Sequence, residues 1–167
     1  ASTGENVQLT WFDRSGKALG AVGTPGVMYW PVISPDGNTV AVDRLDRATG
    51  RFDIWLHDLA RGTASRFTFD GGDNAFPIWS PDGSRIAFRS ARAGVVYQKA
   101  ASGTAPAEAL DKPEPGVRKR PVDWSRDGRY LIMEKFGPKT GFDVWVLPLT
   151  SGDPSGNKPG DGKPFSN

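Results

Sequence analysis

Hydrophobic and polar residues alternate along the chain in short runs that are typical of β-strands. Residues 85–88 read Arg-Ile-Ala-Phe, and residues 52–58 read Phe-Asp-Ile-Trp-Leu-His-Asp. In the second run Ile54 and Leu56 share one face, while Trp55 lies on the other. Because large apolar side chains occur on both faces, we expect this strand to lie in a sheet that is covered on both sides.

The predicted strands are joined by a turn that recurs along the chain. Ser-Pro-Asp-Gly occupies residues 34–37 and 80–83, and Ser-Arg-Asp-Gly occupies residues 125–128. Proline presets φ at the first turn position, and glycine takes the left-handed conformation that closes a tight hairpin. A period of about 45 residues with short strands is typical of a β-propeller, in which each repeat is one blade. The sequence therefore predicts an all-β propeller segment of four-stranded antiparallel blades.

The spacing of the turns divides the chain into one half blade and three blades. The half blade covers residues 7–22, and the blades cover residues 24–70, 71–111 and 112–167. Gly, Pro, Ser, Asp and Lys dominate from residue 150 onwards, which predicts a flexible tail and a short or missing last strand near residues 163–165. In the first blade we expect strands at residues 29–33, 39–43, 52–58 and 65–69. In the other two we expect strands at residues 76–79, 85–88, 94–100, 107–110, 120–124, 129–135 and 142–149.

Composition narrows the possible classes of protein. Hydrophobic residues make up 37% of the chain, which includes six tryptophans, so a packed core is expected. The net charge of +2 with scattered Lys and Arg argues against nucleic acid as a partner. The chain has no cysteine, which excludes disulfides, thiol catalysis and cysteine metal sites. Without an apolar run of 18 residues, no membrane span is expected. The first residue is Ala1, so we expect either a mature form or an excised piece of a longer protein.

Several motifs resemble the TolB-type, WD-like propeller repeats of bacteria. These are the three turns, the tryptophans before two of them (Trp79 and Trp124), and the Asp-Ile-Trp and Asp-Val-Trp strands that begin at Asp53 and Asp143. The resemblance covers roughly residues 7–150. It implies a bacterial binding platform for a protein or a small molecule, and it leaves the compartment open between periplasm and cytoplasm. TolB-type propellers typically have six blades, whereas this chain carries about three and a half repeats.

An open arc of three blades leaves two apolar faces without a neighbour, which favours self-association. Two copies of the arc would supply six full blades around a two-fold axis. We therefore expect a homodimer that closes the propeller. The alternative is a piece of a longer protein that associates nonspecifically.

Candidate ligand-binding residues lie at the ends of the second strands, which face the mouth of the central channel. Asp43, Arg89 and Glu134 each follow the serine of their turn by nine residues, so they are expected at equivalent positions. Trp30 is the one tryptophan near this end that does not recur, and we expect it to touch a ligand. The alternative is that these residues are solvated strand ends with structural ion pairs.

The loop between the first and second blades offers a candidate metal site. Asp73 and Asn74, with Asp70 nearby, supply oxygen atoms suited to Ca²⁺ or another divalent cation. The sequence Asp-Gly-Gly-Asp-Asn is also strongly turn-forming, so a purely structural loop is the alternative.

No catalytic residue is predicted. His57 is the only histidine, and its neighbour Asp58 points to the opposite face of a strand, so the two do not form a triad. The expected function is a noncatalytic interaction or ligand-binding module. The alternative is a metal-assisted hydrolase, lactonase-like or esterase-like, with a carboxylate-lined central channel.

Overall fold

The computed structural model describes residues 5–138, 141–149 and 163–164, which form fourteen β-strands. A two-stranded sheet, the N-terminal hairpin, contains β1 (Val7–Phe12) and β2 (Ala18–Gly26). The first blade contains β3 (Met28–Ile33), β4 (Thr39–Asp46), β5 (Arg51–Asp58) and β6 (Thr63–Arg66). The second contains β7 (Asn74–Trp79), β8 (Arg85–Ser90), β9 (Val95–Ala100) and β10 (Glu108–Ala109). The third contains β11 (Arg118–Trp124), β12 (Tyr130–Gly137), β13 (Gly141–Pro148) and β14 (Lys163–Pro164).

Each blade is a four-stranded antiparallel sheet whose strands lie side by side in chain order. The all-β class and the four-stranded propeller blades predicted from the sequence are therefore confirmed. The outermost strand of the second blade is only two residues long, and that of the third is described at Lys163–Pro164. Apart from this strand, the flexible tail predicted from residue 150 lies outside the described residues. In the described residues no helix is long and apolar enough to cross a membrane.

The predicted turns join the first and second strands of every blade with one shared hydrogen-bond pattern. In the second blade the Ser80 hydroxyl accepts the Arg85 N–H at 2.9 Å and donates to Asp82 Oδ1 at 2.6 Å. The same pair of bonds occurs at the other two turns. The turn glycine has φ of 70° in the second blade, where a residue with a Cβ would be strained. We call this side of the molecule the turn end.

The hydrophobic core lies between the blades. One cluster joins the first and second blades through Ala41, Ile54, Phe67, Ile86 and Phe88. A second cluster joins the second and third blades through Ala87, Val96, Trp124, Leu131, Met133 and Leu147. The Trp79 side chain packs on the first cluster, and its Nε1–H donates to the Val32 carbonyl of the neighbouring blade at 3.1 Å. The half-buried Trp79 and the buried Trp124 therefore both lie where blades meet.

The N-terminal hairpin packs on the face of the first blade that points away from the second. Val22 is buried there, and the backbone of Gly23 lies so close to the His57 ring that an added Cβ would stand 2.7 Å from Nδ1. Glycine is therefore required at this contact. The outer surface of the hairpin exposes the large apolar side chains of Trp11, Phe12 and Leu19.

Candidate functional site

We call the first strand of each blade, β3, β7 or β11, its inner strand. Two aromatic residues on β3 and β7 have a left-handed backbone. Trp30 has φ of 52° and Phe76 has φ of 58°, and each lies where the pairing of the first two strands of its blade is irregular. Their rings contact each other with centroids 5.0 Å apart. For a residue with a Cβ this conformation costs about 1–2 kcal/mol, and such strain is found most often at functional sites. The strained pair therefore marks this end of the inner strands.

The third blade places a cation where the first two place an aromatic ring. Strand pairing makes Pro121 the equivalent of Trp30 and Phe76, and proline cannot adopt a positive φ. Arg120, the residue before it, instead holds its guanidinium 5.4 Å from the Trp30 ring centroid and 5.5 Å from that of Phe76. The three inner strands thus meet in an aromatic–arginine contact of the cation–π type.

Glu134 fixes the orientation of the Arg120 guanidinium. Arg120 Nε donates to Glu134 Oε2 at 2.7 Å, and Nη2 forms an ion pair with the same oxygen at 2.6 Å. Arg120 and Glu134 face each other across β11 and β12. Since both side chains are only partly exposed, the pair is less screened than a surface ion pair. It keeps the cation over the two rings.

Two adjoining cavities open around this contact, and we call them together the mouth. An apolar cavity of about 260 Å³ is lined by Trp30, Pro31, Val32, Phe76, Pro77, Ile78, Arg120, Pro121 and Val122. A cationic cavity of about 130 Å³ is lined by Phe76, Arg89, Arg118, Lys119, Arg120, Glu134, Phe136 and Phe142. Phe76 and Arg120 line both, so the cavities share a wall.

The structure places Asp43, Arg89 and Glu134 at equivalent positions on the second strands. Their partners on the inner strands are Tyr29, Ala75 and Arg120, and their partners on the third strands are Ile54, Val96 and Val144. Arg89 and Glu134 line the cationic cavity, and Trp30 lines the apolar one. Asp43 lines neither. Equivalent register has therefore not given the three residues equivalent surroundings.

Asp43 is enclosed rather than presented to a ligand. Its side chain is 4% exposed, and Oδ1 has no hydrogen-bond partner among the described residues. Burial raises the pKa of this carboxyl to about 7. Near neutral pH it therefore exchanges a proton, unlike an ordinary surface aspartate.

Asp73 and Asn74, predicted to bind a cation, both make bonds within the fold. Asp73 Oδ1 accepts the Phe52 N–H at 3.0 Å. Asn74 is fully buried, and its Nδ2–H donates to Asp70 Oδ1 at 2.5 Å and to Asp53 Oδ1 at 3.4 Å. Within residues 5–138, 141–149 and 163–164 no group of three or more metal-ligating side chains could hold an ion. The divalent cation at this loop stays a prediction.

His57 and Asp58 are held apart by the strand that carries them. His57 is fully buried under the hairpin, and burial together with the charge of Arg44 lowers its pKa. The Asp58 carboxylate instead accepts the backbone N–H groups of Ala60 and Arg61. The two side chains therefore do not form the orienting hydrogen bond of a triad.

Phe76, Arg118 and Arg120 line the mouth but were not singled out from the sequence. The signal that could have found two of them is a dipeptide. Trp30-Pro31, Phe76-Pro77 and Arg120-Pro121 each stand a few residues before their turn. Aligning the repeats on these prolines, as well as on the turns, would have grouped Trp30, Phe76 and Arg120.

Two lysines near the mouth make ion pairs within the fold. The fully buried Lys119 Nζ lies 2.6 Å from Asp111 Oδ2 and 2.8 Å from Glu114 Oε1. Lys135 Nζ shares Glu114 Oε1 at 2.8 Å and lies 3.6 Å from the centre of the Trp145 ring. Although burial opposes ionisation of Glu114, its hydrogen bonds from the two lysines lower its pKa. These groups join the second and third blades rather than face a ligand.

Comparison with known proteins identifies the fold without fixing a function, and no protein-family model matches the chain. Over 132 residues the chain is 32% identical to Tricorn protease homolog 1 of Streptomyces coelicolor, covering 77% of this chain and 11% of that protein. Over 64 residues it is 36% identical to the Tol-Pal system protein TolB of Alcanivorax borkumensis, covering 38% of this chain and 14% of that protein. The structure of a putative TolB from Agrobacterium tumefaciens matches with a TM-score of 0.66 and 22% identity, covering 94% of this chain and 59% of that one. The chain thus spans a small part of the curated relatives it matches.

Proposed function

Since this chain has the fold of a TolB-type β-propeller segment, we propose that it is a noncatalytic binding module whose ligand occupies the mouth. The observation that carries the proposal is the strained Trp30–Phe76 pair, which borders two adjoining cavities. A left-handed aromatic residue is costly, so its presence in two blades favours a role beyond folding.

The side chains at the mouth suit recognition of a small ligand. Trp30 is 50% exposed, so its ring offers apolar contact area without leaving the fold. Arg120, held by Glu134, supplies a fixed cation beside that ring. A concave apolar surface with a few oriented polar groups is the usual form of a ligand site.

The proposal can be tested by mapping where small molecules bind. A mixture of aromatic and aliphatic fragments would be titrated into ¹⁵N-labelled protein and followed by NMR. We expect shifts at the Trp30 indole N–H, assigned with a Trp30→Phe variant, and unchanged signals from the turn residues Gly37, Gly83 and Gly128. Fragments that shift the turn glycines but leave the Trp30 signal in place would contradict the proposal.

A metal-assisted hydrolase is tested separately. Ca²⁺, Mn²⁺ and Zn²⁺ would be titrated in turn, and hydrolysis of lactone, ester and phosphoester substrates would be assayed with each ion. The binding-module proposal predicts no turnover above the rate of the metal in buffer. Metal-dependent turnover that Asp73→Asn removes would favour the hydrolase.

We also propose that two copies associate to close the propeller. The third blade exposes the side chains of Phe142 (67%) and Val144 (48%), and the hairpin at the other end exposes Phe12 (59%) and Leu19 (64%). Exposed apolar surfaces of this kind favour association. Light scattering at micromolar concentration should give the mass of a dimer, and Val144→Glu should reduce it to that of a monomer. A monomer in the unaltered chain would contradict this proposal.

A further inference from the structure

The charged groups of the cationic cavity do not balance. It is lined by Arg89, Arg118, Lys119, Arg120 and Glu134. Lys119 is neutralised by Asp111 and Glu114, and Arg120 by Glu134. Among the residues the structure describes, the guanidinium groups of Arg89 and Arg118 make no ion pair within 4 Å and no hydrogen bond. In this part of the chain the cavity therefore contains two guanidinium groups that no carboxylate contacts directly.

These two guanidinium groups are close enough to disfavour each other's charge. Burial and the positive charge of Arg118 lower the pKa of Arg89, and the more favourable effect of Asp73 is weaker. The guanidinium of Arg118 is held 4.6 Å from the centre of the Phe136 ring, which leaves its N–H groups free for another acceptor. An anion bound between the two cations would relieve the repulsion.

The neighbouring apolar cavity indicates which kind of chemical group the bound anion carries. Trp30, Pro31, Pro77 and Val122 give it apolar walls, and it meets the cationic cavity at Phe76 and Arg120. A molecule filling both would place an apolar group against the rings and a charged group beside the arginines. The volumes of about 260 and 130 Å³ suit a small molecule.

We propose that the mouth binds a small carboxylic acid with an aromatic or alicyclic stem. Arg89 and Arg118 hold the carboxylate, while Trp30 and Phe76 hold the stem. Guanidinium groups match the planar geometry of a carboxylate and donate two hydrogen bonds to it. This inference rests on the proposed function, because it assigns a ligand class to the same site.

The role of Glu134 follows from this assignment. Its carboxylate competes with an anionic ligand for the positive charge of the cavity, and it occupies Arg120. Glu134 is therefore a positioning residue for Arg120 and not a ligand contact. Removing its charge should not weaken the binding of an anion, whereas it would weaken the binding of a cation or of a hydroxyl group donated to Glu134.

The test compares matched probes by calorimetry and by the NMR signal of the Trp30 indole N–H. The probes are 2-naphthylacetate, its neutral isostere 2-naphthylacetamide, and acetate, which lacks the stem. We expect naphthylacetate to bind at least tenfold more tightly than either of the others, since the amide lacks the charge that strengthens its hydrogen bonds to guanidinium and acetate lacks the apolar stem. Its affinity should fall as salt is raised.

Variants assign the effect to residues. Arg89→Gln and Arg118→Gln should each weaken naphthylacetate binding about tenfold, and Glu134→Gln, which removes the competing carboxylate, should tighten it. Arg126→Gln is the matched control, since it removes one arginine from the turn end, and it should leave binding unchanged. Melting curves of all four variants confirm that each is folded.

The outcomes separate this inference from the proposed function. Equal affinity for the acid and the amide, with the Trp30 signal shifted by both, would overturn the carboxylate assignment and leave the binding module standing. Weaker acid binding by Glu134→Gln would do the same. If none of the probes shifted the Trp30 signal, the assignment and the proposed site would both fall.

Discussion

The two ends of the same strands differ in how strictly the repeat is kept. At the turn end, three serines, three aspartates and three glycines make one hydrogen-bond pattern three times. At the mouth end, the three equivalent positions carry Asp43, Arg89 and Glu134. Asp43 is enclosed, Arg89 makes no ion pair with the described residues, and Glu134 is bound to an arginine. The turn end is therefore uniform in sequence and structure, whereas the mouth end is uniform only in the backbone register of its strands.

This difference shows which positions of the repeat the fold constrains in sequence. A tight turn needs particular residues for its backbone, so each repeat has the same solution. A strand end needs only an extended backbone, so its side chain is free to differ. Substitutions at the turn end should therefore alter stability, and substitutions at the mouth should alter binding.

The largest effect on stability is expected beside the turn end, where Trp124 fills the contact of the second and third blades. Trp124→Ala should cost about 3–5 kcal/mol of unfolding free energy, because it leaves a large cavity in the core. Denaturant unfolding measures this cost. Trp11→Ala, on the 43% exposed side chain of the hairpin, is the control and should cost much less. Equal costs for the two would mean that the blades are not held together by this core.

Replacing Asp43 should stabilise the fold, unlike Trp124→Ala, and the size of this stabilisation should depend on pH. The pKa raised to about 7 means that the folded protein binds a proton more tightly than the unfolded chain, so stability falls as pH rises from about 4 to 7. Asp43→Asn removes this loss. We expect it to gain about 4 kcal/mol at pH 8 and almost nothing at pH 4, since the pKa of the carboxyl is raised from 3.8 to about 7 and each pKa unit is worth about 1.4 kcal/mol. Thermal unfolding at the two pH values measures the gain.

The matched change at the turn end should have the reverse effect. Hydrogen bonds from Ser80 and Ser84 lower the pKa of Asp82 to about 2, so ionised Asp82 stabilises the fold above about pH 4. That contribution disappears as pH falls towards 2. Asp82→Asn should therefore be less stable than the unaltered protein at pH 8 and equal to it near pH 2. If Asp43→Asn and Asp82→Asn both stabilised or both destabilised the protein at pH 8, the two ends would not differ in how ionisation affects stability.

The turn serines should differ among themselves according to burial. Ser80 and Ser34 are 1% and 5% exposed, and each hydroxyl accepts a backbone N–H, so Ser→Ala should cost about 1–2 kcal/mol at either. Ser125 is half-buried, so water can replace its hydroxyl more easily and Ser125→Ala should cost less. Urea unfolding of the three variants gives the ranking. A larger loss for Ser125→Ala would contradict the burial argument.

The smallest effect concerns backbone strain at the mouth. Because Trp30 has φ of 52°, Trp30→Gly should be about 1 kcal/mol more stable than Trp30→Ala. At Trp11, which lies in β1 without a positive φ, the order should reverse, with the alanine variant more stable. Unfolding of the four variants tests both orders. A Trp30→Ala variant as stable as Trp30→Gly would show that no strain is stored there.

The turn end could be predicted from the sequence, whereas the surroundings of the mouth residues could not. Turn chemistry gave the repeat, the antiparallel blades and the tryptophans between them, because those features depend on local rules. The sequence also predicted equivalent register for Asp43, Arg89 and Glu134. It did not predict their surroundings, because these depend on the neighbouring blade that each one faces. Nor did it show that Pro121, unable to adopt a positive φ, would put Arg120 beside the rings of Trp30 and Phe76.

Whether stability and binding are separated between the two ends can be measured by crossing two variants with two assays. Unfolding free energy and naphthylacetate affinity would both be measured for Arg89→Gln and for Ser80→Ala, at a temperature where both variants are folded. We predict that Arg89→Gln loses about tenfold in affinity with its stability almost unchanged, and that Ser80→Ala loses stability with its affinity unchanged. This separation is contradicted if Ser80→Ala loses affinity as strongly as Arg89→Gln, or if Arg89→Gln binds as the unaltered protein does.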